Sequence, residues 1–215
     1  MRSILRPLLL IVVFPFISVP GNCNENPWEL EKQAHGIKVF AREVEGWTVR
    51  EVKAETTVAA SLLSVLAVLN DVPSSGRINE SIRIASVLGD PSADSYEVYM
   101  LMGMPWPVSD RDVVLKRTIA TNPGDGSVRV SEVALQGVLP RKEGVVRVEK
   151  MFQSWLVTPI GKCAVYVETQ TLVDPGGVIP SGIINRLSIE SPMVTLRNLK
   201  KAVSEPQYRS NPSQC

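Results

Sequence analysis

Over most of the chain from Ile37 to Val173, apolar and polar residues alternate one by one, the pattern of strands with one dry face and one wet face. Residues 37–43 and 47–57 alternate on either side of Gly46 and predict a hairpin. Ahead of them, Asn26 as cap and Pro27 in a first turn predict a short helix over 26–34, ended by Gly36. The period then changes. Leu62, Leu63, Leu66 and Leu69 fall at helical spacing within 59–69, and residues 71–76 break that helix. Six strands follow, at 78–87, 96–104, 113–121, 128–136, 145–157 and 163–173, separated by turn signals such as Gly89-Asp90-Pro91 and the 122–126 stretch. Short turns between successive strands, with no helices among them, predict an antiparallel meander and exclude a doubly wound parallel sheet.

Residues 180–204 return to helical spacing, with Ile183, Leu187, Val194, Leu196, Leu199 and Val203 as the apolar stripe. Pro192 is expected to kink this helix or split it. Residues 205–215, with two prolines and several Ser and Asn, read as a disordered tail. The whole is an α+β domain. A curved antiparallel sheet cannot leave its apolar concave face wet, and a long C-terminal helix is the simplest cover. Where the side chains between sheet and helix fail to fill the space, an internal hydrophobic cavity results.

The first 21 residues do not belong to that domain. Arg2 and Arg6 precede an apolar run from Leu8 to Val19, followed by small residues, which is the layout of a secretory signal peptide. Cleavage after Gly21 fits the pattern, and the run is short for a membrane span. Export to a periplasm is the expectation, with anchoring through the N-terminus or a lipid on Cys23 as the alternative; Asn22 precedes that cysteine where a small residue is wanted. The formal net charge of +1 becomes about −1 once Arg2 and Arg6 are removed, and the remaining basic residues are scattered, so nucleic acid is not an expected partner. The 3 cysteines include two in terminal segments, and Cys163 reads as a small buried hydrophobe rather than part of a disulfide framework or metal site.

Four segments carry more than pattern. They are Gly-Ile-Lys-Val-Phe-Ala-Arg at 36–42, Pro-Trp-Pro-Val-Ser-Asp-Arg-Asp at 105–112, Asp-Pro-Gly-Gly-Val-Ile-Pro at 174–180 and Pro-Met-Val-Thr-Leu-Arg-Asn-Leu at 192–199. In this order and at these separations the chain resembles the START domain, the lipid-transfer domain related to the steroidogenic acute regulatory protein. The resemblance runs from Trp28 to Val203, with residues 26–204 as the domain. It implies the helix-grip fold, in which a curved antiparallel sheet is wrapped around a long C-terminal helix with a ligand tunnel between them. It also implies a hydrophobic small molecule or lipid as partner, transient contact with a membrane, no cofactor, and a carrier or sensor rather than an enzyme. The leader departs from the many cytosolic eukaryotic members and points to a bacterial envelope protein. A monomer is expected.

Candidate pocket residues follow from the strands and the helix. Met100, Met102 and Met104 share one face of a strand and suit an irregular apolar wall, although Tyr99 and Leu101 on the other face are apolar too. Phe152, Leu156, Val165 and Val167 on later strands, and Ile183, Ile184 and Leu187 on the helix, are further candidates. Arg117 sits mid-strand among apolar neighbours. Turned inward it would hold a polar head group or pair with a carboxylate; turned outward it is a solvated charge. Asp110, Arg111 and Asp112 read chiefly as a network tying loop to strand. The 174–180 turn is a candidate hinge by which the helix lifts. Catalysis has little to work with. His35 is the only histidine and lies outside the predicted pocket, and no Gly-x-Ser-x-Gly elbow, metal cluster or phosphate loop occurs. No catalytic or metal-ligating residue is assigned. The competing reading is a hydrolase or cyclase acting on an apolar substrate in the same cavity, with Glu132, Glu149 or Glu168 as the acid or base.

Overall fold

The computed structural model describes residues 26–91 and 94–209. A 10-stranded sheet, antiparallel but for one short strand, curves around one long helix and does not close into a barrel. Strands β1 (Glu29–Ala34), β2 (Ile37–Arg42) and β3 (Glu51–Val58) form one meander. After helix α1 (Leu62–Asn70) and a 3-10 turn (Val72–Arg77), a second meander runs through β4 (Ile82–Leu88), β5 (Ser95–Met102), β6 (Arg111–Thr121), β7 (Val128–Leu135), β9 (Lys150–Gly161) and β10 (Ala164–Asp174). The two meanders join where β3 pairs with β10, leaving β1 and β4 as the edges. Two-residue strand β8 (Val146–Arg147) pairs in parallel with the start of β6, beyond the point where β7 ends.

Three expectations are corrected. The segment 26–34 is not a helix: its residues 29–34 form β1, paired with β2. His35 and Gly36 at φ 53° and 69° are the two central residues of a tight hairpin loop rather than a helix stop, and the long-range pairing outweighs the Asn-Pro start signal. The strand read over 145–157 is two strands, because β8 first pairs with β6 before the chain crosses to β7. Third, of the kink or split expected at Pro192 the split does not occur, since α2 runs unbroken over Ser181–Ala202.

The domain also continues past 204. Tyr208, in the segment read as disordered, is buried, and its hydroxyl donates to Asp71 at the end of α1. Residues 210–215, and residues 1–21 that were read as a leader, lie outside the described residues.

Two apolar clusters occupy the concave face. The larger is built from Ile37, Val39, Ala54, Val58, Trp155, Val165 and Val167 of the sheet, Val65 and Leu69 of α1, and Met193, Leu196, Leu199 and Val203 of α2. Leu196 and Leu199 are wholly buried, each worth about 1.5–3 kcal/mol of transfer free energy. The smaller cluster gathers Val98, Met100, Val113 and Leu115 of β5 and β6, with Ile82, Met102, Ala134, Met151 and Val173 only half-covered around it. Among the described residues no side chain of α2 belongs to this second cluster.

Candidate functional site

The difference between the clusters locates the site. From Met193 to Val203 α2 sits on the sheet, with most side chains buried. From Gly182 to Pro192 every described side chain of α2 is half-buried or exposed. Pro192 lies at that boundary. It has no amide hydrogen to donate back into the preceding turn, so the helix loses a hydrogen bond where its packing also stops. The C-terminal end is pinned on several sides: Asn198 donates to Glu80, Arg77 bonds Glu205, and Tyr208 bonds Asp71.

Beside the loosely packed half opens a pocket of about 650 Å³. One wall is the α2 face of Ile183, Leu187 and Val194, with Arg186, Glu190, Ser191 and Thr195 along its margins. The opposite wall is Asn79, Glu80 and Ser81, ahead of β4, and Pro105 in the β5–β6 loop. The volume falls within the range of small-molecule sites. Glu190 is tied to Lys32 of β1 at 2.5 Å, which tethers the loose half of the helix to the edge of the sheet.

Register settles which strand faces look inward. Met100 opposes Val113 and Met102 opposes Arg111 on the concave face, so Met100 and Met102 line the interior as read from their alternation, with Met100 buried and Met102 half-buried. Met104 lies past the end of β5, with its amide donating to Asp110. Val165 and Val167 face inward but are sealed under the C-terminal half of α2. Phe152 and Leu156 face the other way. Trp155 and Val157 are the inward residues of β9, while Phe152 is paired with Val133 and Leu172 on the convex side. Ile183 and Leu187 line the pocket; Ile184 is half-buried and does not.

Arg117 does point inward, but its charge is spent within the protein. Its Nε donates to Glu132 Oε1 at 2.8 Å and its Nη1 to the Leu69 carbonyl at 2.8 Å, and both side chains of the ion pair are almost fully buried. Burial works against the guanidinium charge, yet the Glu132 carboxylate and Tyr96 outweigh it and hold the pKa above its ordinary value. The pair fastens the last turn of α1 to the middle of the sheet. It also occupies Glu132, the inward member of the strand carboxylates named above as an acid or base.

The loops around the mouth are braced. Asp110 bonds Arg83 and the Met104 amide. Asp112 forms a two-pronged pair with Arg147, whose guanidinium also donates to the Leu139 and Pro140 carbonyls. Arg111, 3% exposed, donates to the carbonyls of Ser109, Pro175 and Gly176 and so joins the β5–β6 loop to the loop before α2. The structural reading of the Asp-Arg-Asp run therefore holds. Among the described residues there is no group of three or more His, Cys, Asp or Glu able to hold a metal ion.

The match to the START domain model spans residues 22–208, and the chain belongs to that family. It is 32% identical to the STAR-related lipid transfer protein of Xanthomonas axonopodis, whose crystal structure superposes with a TM-score of 0.76 over 83% of this chain and 99% of that one. It is 30% identical over 205 residues to an uncharacterised protein of Pseudomonas aeruginosa, covering 95% of this chain and all of the relative. It is 28% identical over 181 residues to the rat phosphatidylcholine transfer protein, covering 81% of this chain and 83% of that one. Kinship with lipid transfer proteins supports lipid binding.

Proposed function

We propose that the protein is a non-catalytic carrier that takes up one lipid or similar apolar molecule beneath the N-terminal half of α2. The observation that carries this reading is the mismatch within one helix. Its C-terminal half is largely buried, while its N-terminal half stands beside a pocket of about 650 Å³, and no described side chain of α2 belongs to the second apolar cluster. Burying each methylene of a guest there is worth about 0.8 kcal/mol, enough to hold a chain of ordinary acyl length. Cargo enters as the 181–191 half of the helix lifts about Pro192, with its C-terminal half fixed. The hinge is thus within the helix rather than at the 174–180 turn.

The enzyme reading fares worse, because Glu132 is buried and paired with Arg117, and the two carboxylates that line the pocket are engaged, Glu80 by Asn198 and Glu190 by Lys32. The work place of the carrier, in this reading, is the periplasm, reached through the leader at residues 1–21. N-terminal sequencing of the protein from its own cell envelope tests that, with Asn22 as the expected first residue and an intact Met1 as the contrary result.

Pocket filling tests the carrier itself. Leu187 is half-buried, so Leu187→Trp is tolerated by the fold and reduces the free volume. A fluorescent phospholipid is expected to bind at least about tenfold more weakly to this variant, in line with roughly two lost methylene burials. Undiminished binding with an unchanged unfolding midpoint would place the cargo elsewhere.

A further inference from the structure

Lys32 carries its charge on the inner side of an edge strand. The tight loop at His35 and Gly36 fixes the register of β1 on β2, so Lys32 stands opposite Val39, a wholly buried residue of the concave face, and points the same way. We propose that Lys32, through its pair with Glu190, sets how fast the pocket takes up and gives up its cargo, by strapping the loose half of α2 to the sheet. The proposal rests on the carrier reading and adds to it the bond that governs the rate.

Lys32 Nζ lies 2.5 Å from Glu190 Oε1. Among the described residues this is the one side-chain hydrogen bond or ion pair that joins residues 182–191 of α2 to the sheet. The sheet end of the strap is itself anchored. Glu31, left without a partner by the bulge between Leu30 and Lys32, is paired with Arg50 just ahead of β3. At the loop of the same hairpin, Lys200 of the packed half of α2 donates to the His35 carbonyl at 3.3 Å. The hairpin is therefore fixed to the packed half of the helix and reaches through Lys32 to the loose half, with Pro192 between the two attachments. The other cation within a turn of Glu190, Arg186, is on α2 itself and cannot hold that helix to the sheet.

The side chains of Lys32 and Glu190 are 37% and 46% exposed, so the pair is weak and open to screening by salt, as suits a bond that breaks in every cycle. It links helix to strand, not helix to cargo, and forms alike around an empty or a filled pocket. A contact common to both states cannot shift the equilibrium between them; it slows opening from either side. A charge pointing inward on an edge strand also discourages pairing with the edge of another chain. That role is served by either sign of charge at position 32 and has no need of Glu190, whereas the strap requires opposite signs at the two positions.

The test follows a fluorescent phospholipid between the protein and vesicles of neutral phosphatidylcholine by stopped flow. Lys32→Met should speed uptake and release by the same factor, about two- to fivefold, and leave the equilibrium affinity unchanged. Glu190→Gln should speed release as much, and Lys32→Glu more. Lys32→Glu combined with Glu190→Lys should return both rates to within about twofold of the unaltered protein. In about 1 M salt the unaltered protein should release as fast as Lys32→Met. Amide exchange over 182–191 should quicken in Lys32→Met without cargo, while 193–202 stays as it was. Unaltered rates in Lys32→Met, a charge swap that fails to restore them, or a changed affinity with unchanged release would overturn the strap. Self-association of Lys32→Met at unaltered rates would assign the residue to edge protection instead. Faster exchange over 182–191 in a protein that takes up no phospholipid would keep the strap and remove the carrier reading.

Discussion

Glu132→Leu is the most informative single perturbation of the interior. In the native protein Glu132 is 1% exposed and its carboxylate is the counter-charge of Arg117, itself 3% exposed. Removing the carboxylate leaves a buried guanidinium with only the Leu69 carbonyl and Tyr96 for company. Breaking a buried pair from one side costs about 3–5 kcal/mol, far more than the pair adds relative to an apolar replacement. With a urea dependence of about 2 kcal/mol per molar, the midpoint should fall by roughly 1.5–2.5 M, read by circular dichroism. Arg117→Met combined with Glu132→Leu should recover most of that loss, leaving a deficit of about 1 kcal/mol for the stranded Leu69 carbonyl. Lipid load in the double variant should match that of the unaltered protein, because the pair is a fastening between α1 and the sheet. Two results would refute this: a single variant less than about 1 kcal/mol destabilised, or a double variant that folds normally and loses its lipid. The second would give Arg117 the head-group role that was one of the alternatives its sequence context left open.

Two further outcomes are expected. Tyr208→Phe should cost about 1 kcal/mol by removing the bond to Asp71. That bond lowers the Asp71 pKa below its usual 3.8, ahead of the opposing effect of burial. A depressed carboxylate contributes stability that is present above the ordinary value and lost as pH falls through the native one. The unaltered protein should therefore lose more stability on acidification below about pH 4 than Tyr208→Phe does; identical acid limbs would show that the link carries no weight. Amide exchange should also divide α2 at Pro192, with residues 182–191 exchanging much faster than 193–202 and gaining protection when lipid is bound. Uniform protection along the helix, with no response to lipid, would contradict the hinge.

Of the strands from β4 to β10, all but the short β8 were legible because alternation is imposed locally by burial of one face, as in Val113, Leu115 and Arg117 against Lys116 and Thr118. The long helix was legible for the same reason. What failed depends on partners far along the chain. Residues 29–34 carry no alternation, and only the pairing with β2 makes them a strand. The junction of β3 with β10 joins residues more than 100 positions apart and has no local signature. Phe152 was misassigned because both faces of β9 carry large apolar groups, so composition cannot say that Trp155 looks inward and Phe152 outward. The polar rim at Asn79, Glu80 and Ser81 was missed because these residues were read as the start of a strand over 78–87, whereas that strand begins only at Ile82. Pro192 was read as a kink or a break, and its meaning as a boundary between packed and loose helix emerged from burial.

The carrier account stands or falls on whether the protein is isolated with a passenger. Native mass spectrometry of the protein purified from its own cells, followed by organic extraction, measures that directly. The account predicts a single non-covalent lipid-sized mass increment, lost on denaturation and recovered in the extract. A clean unliganded mass, together with no uptake from a panel of phospholipids, sterols and fatty acids, would contradict it.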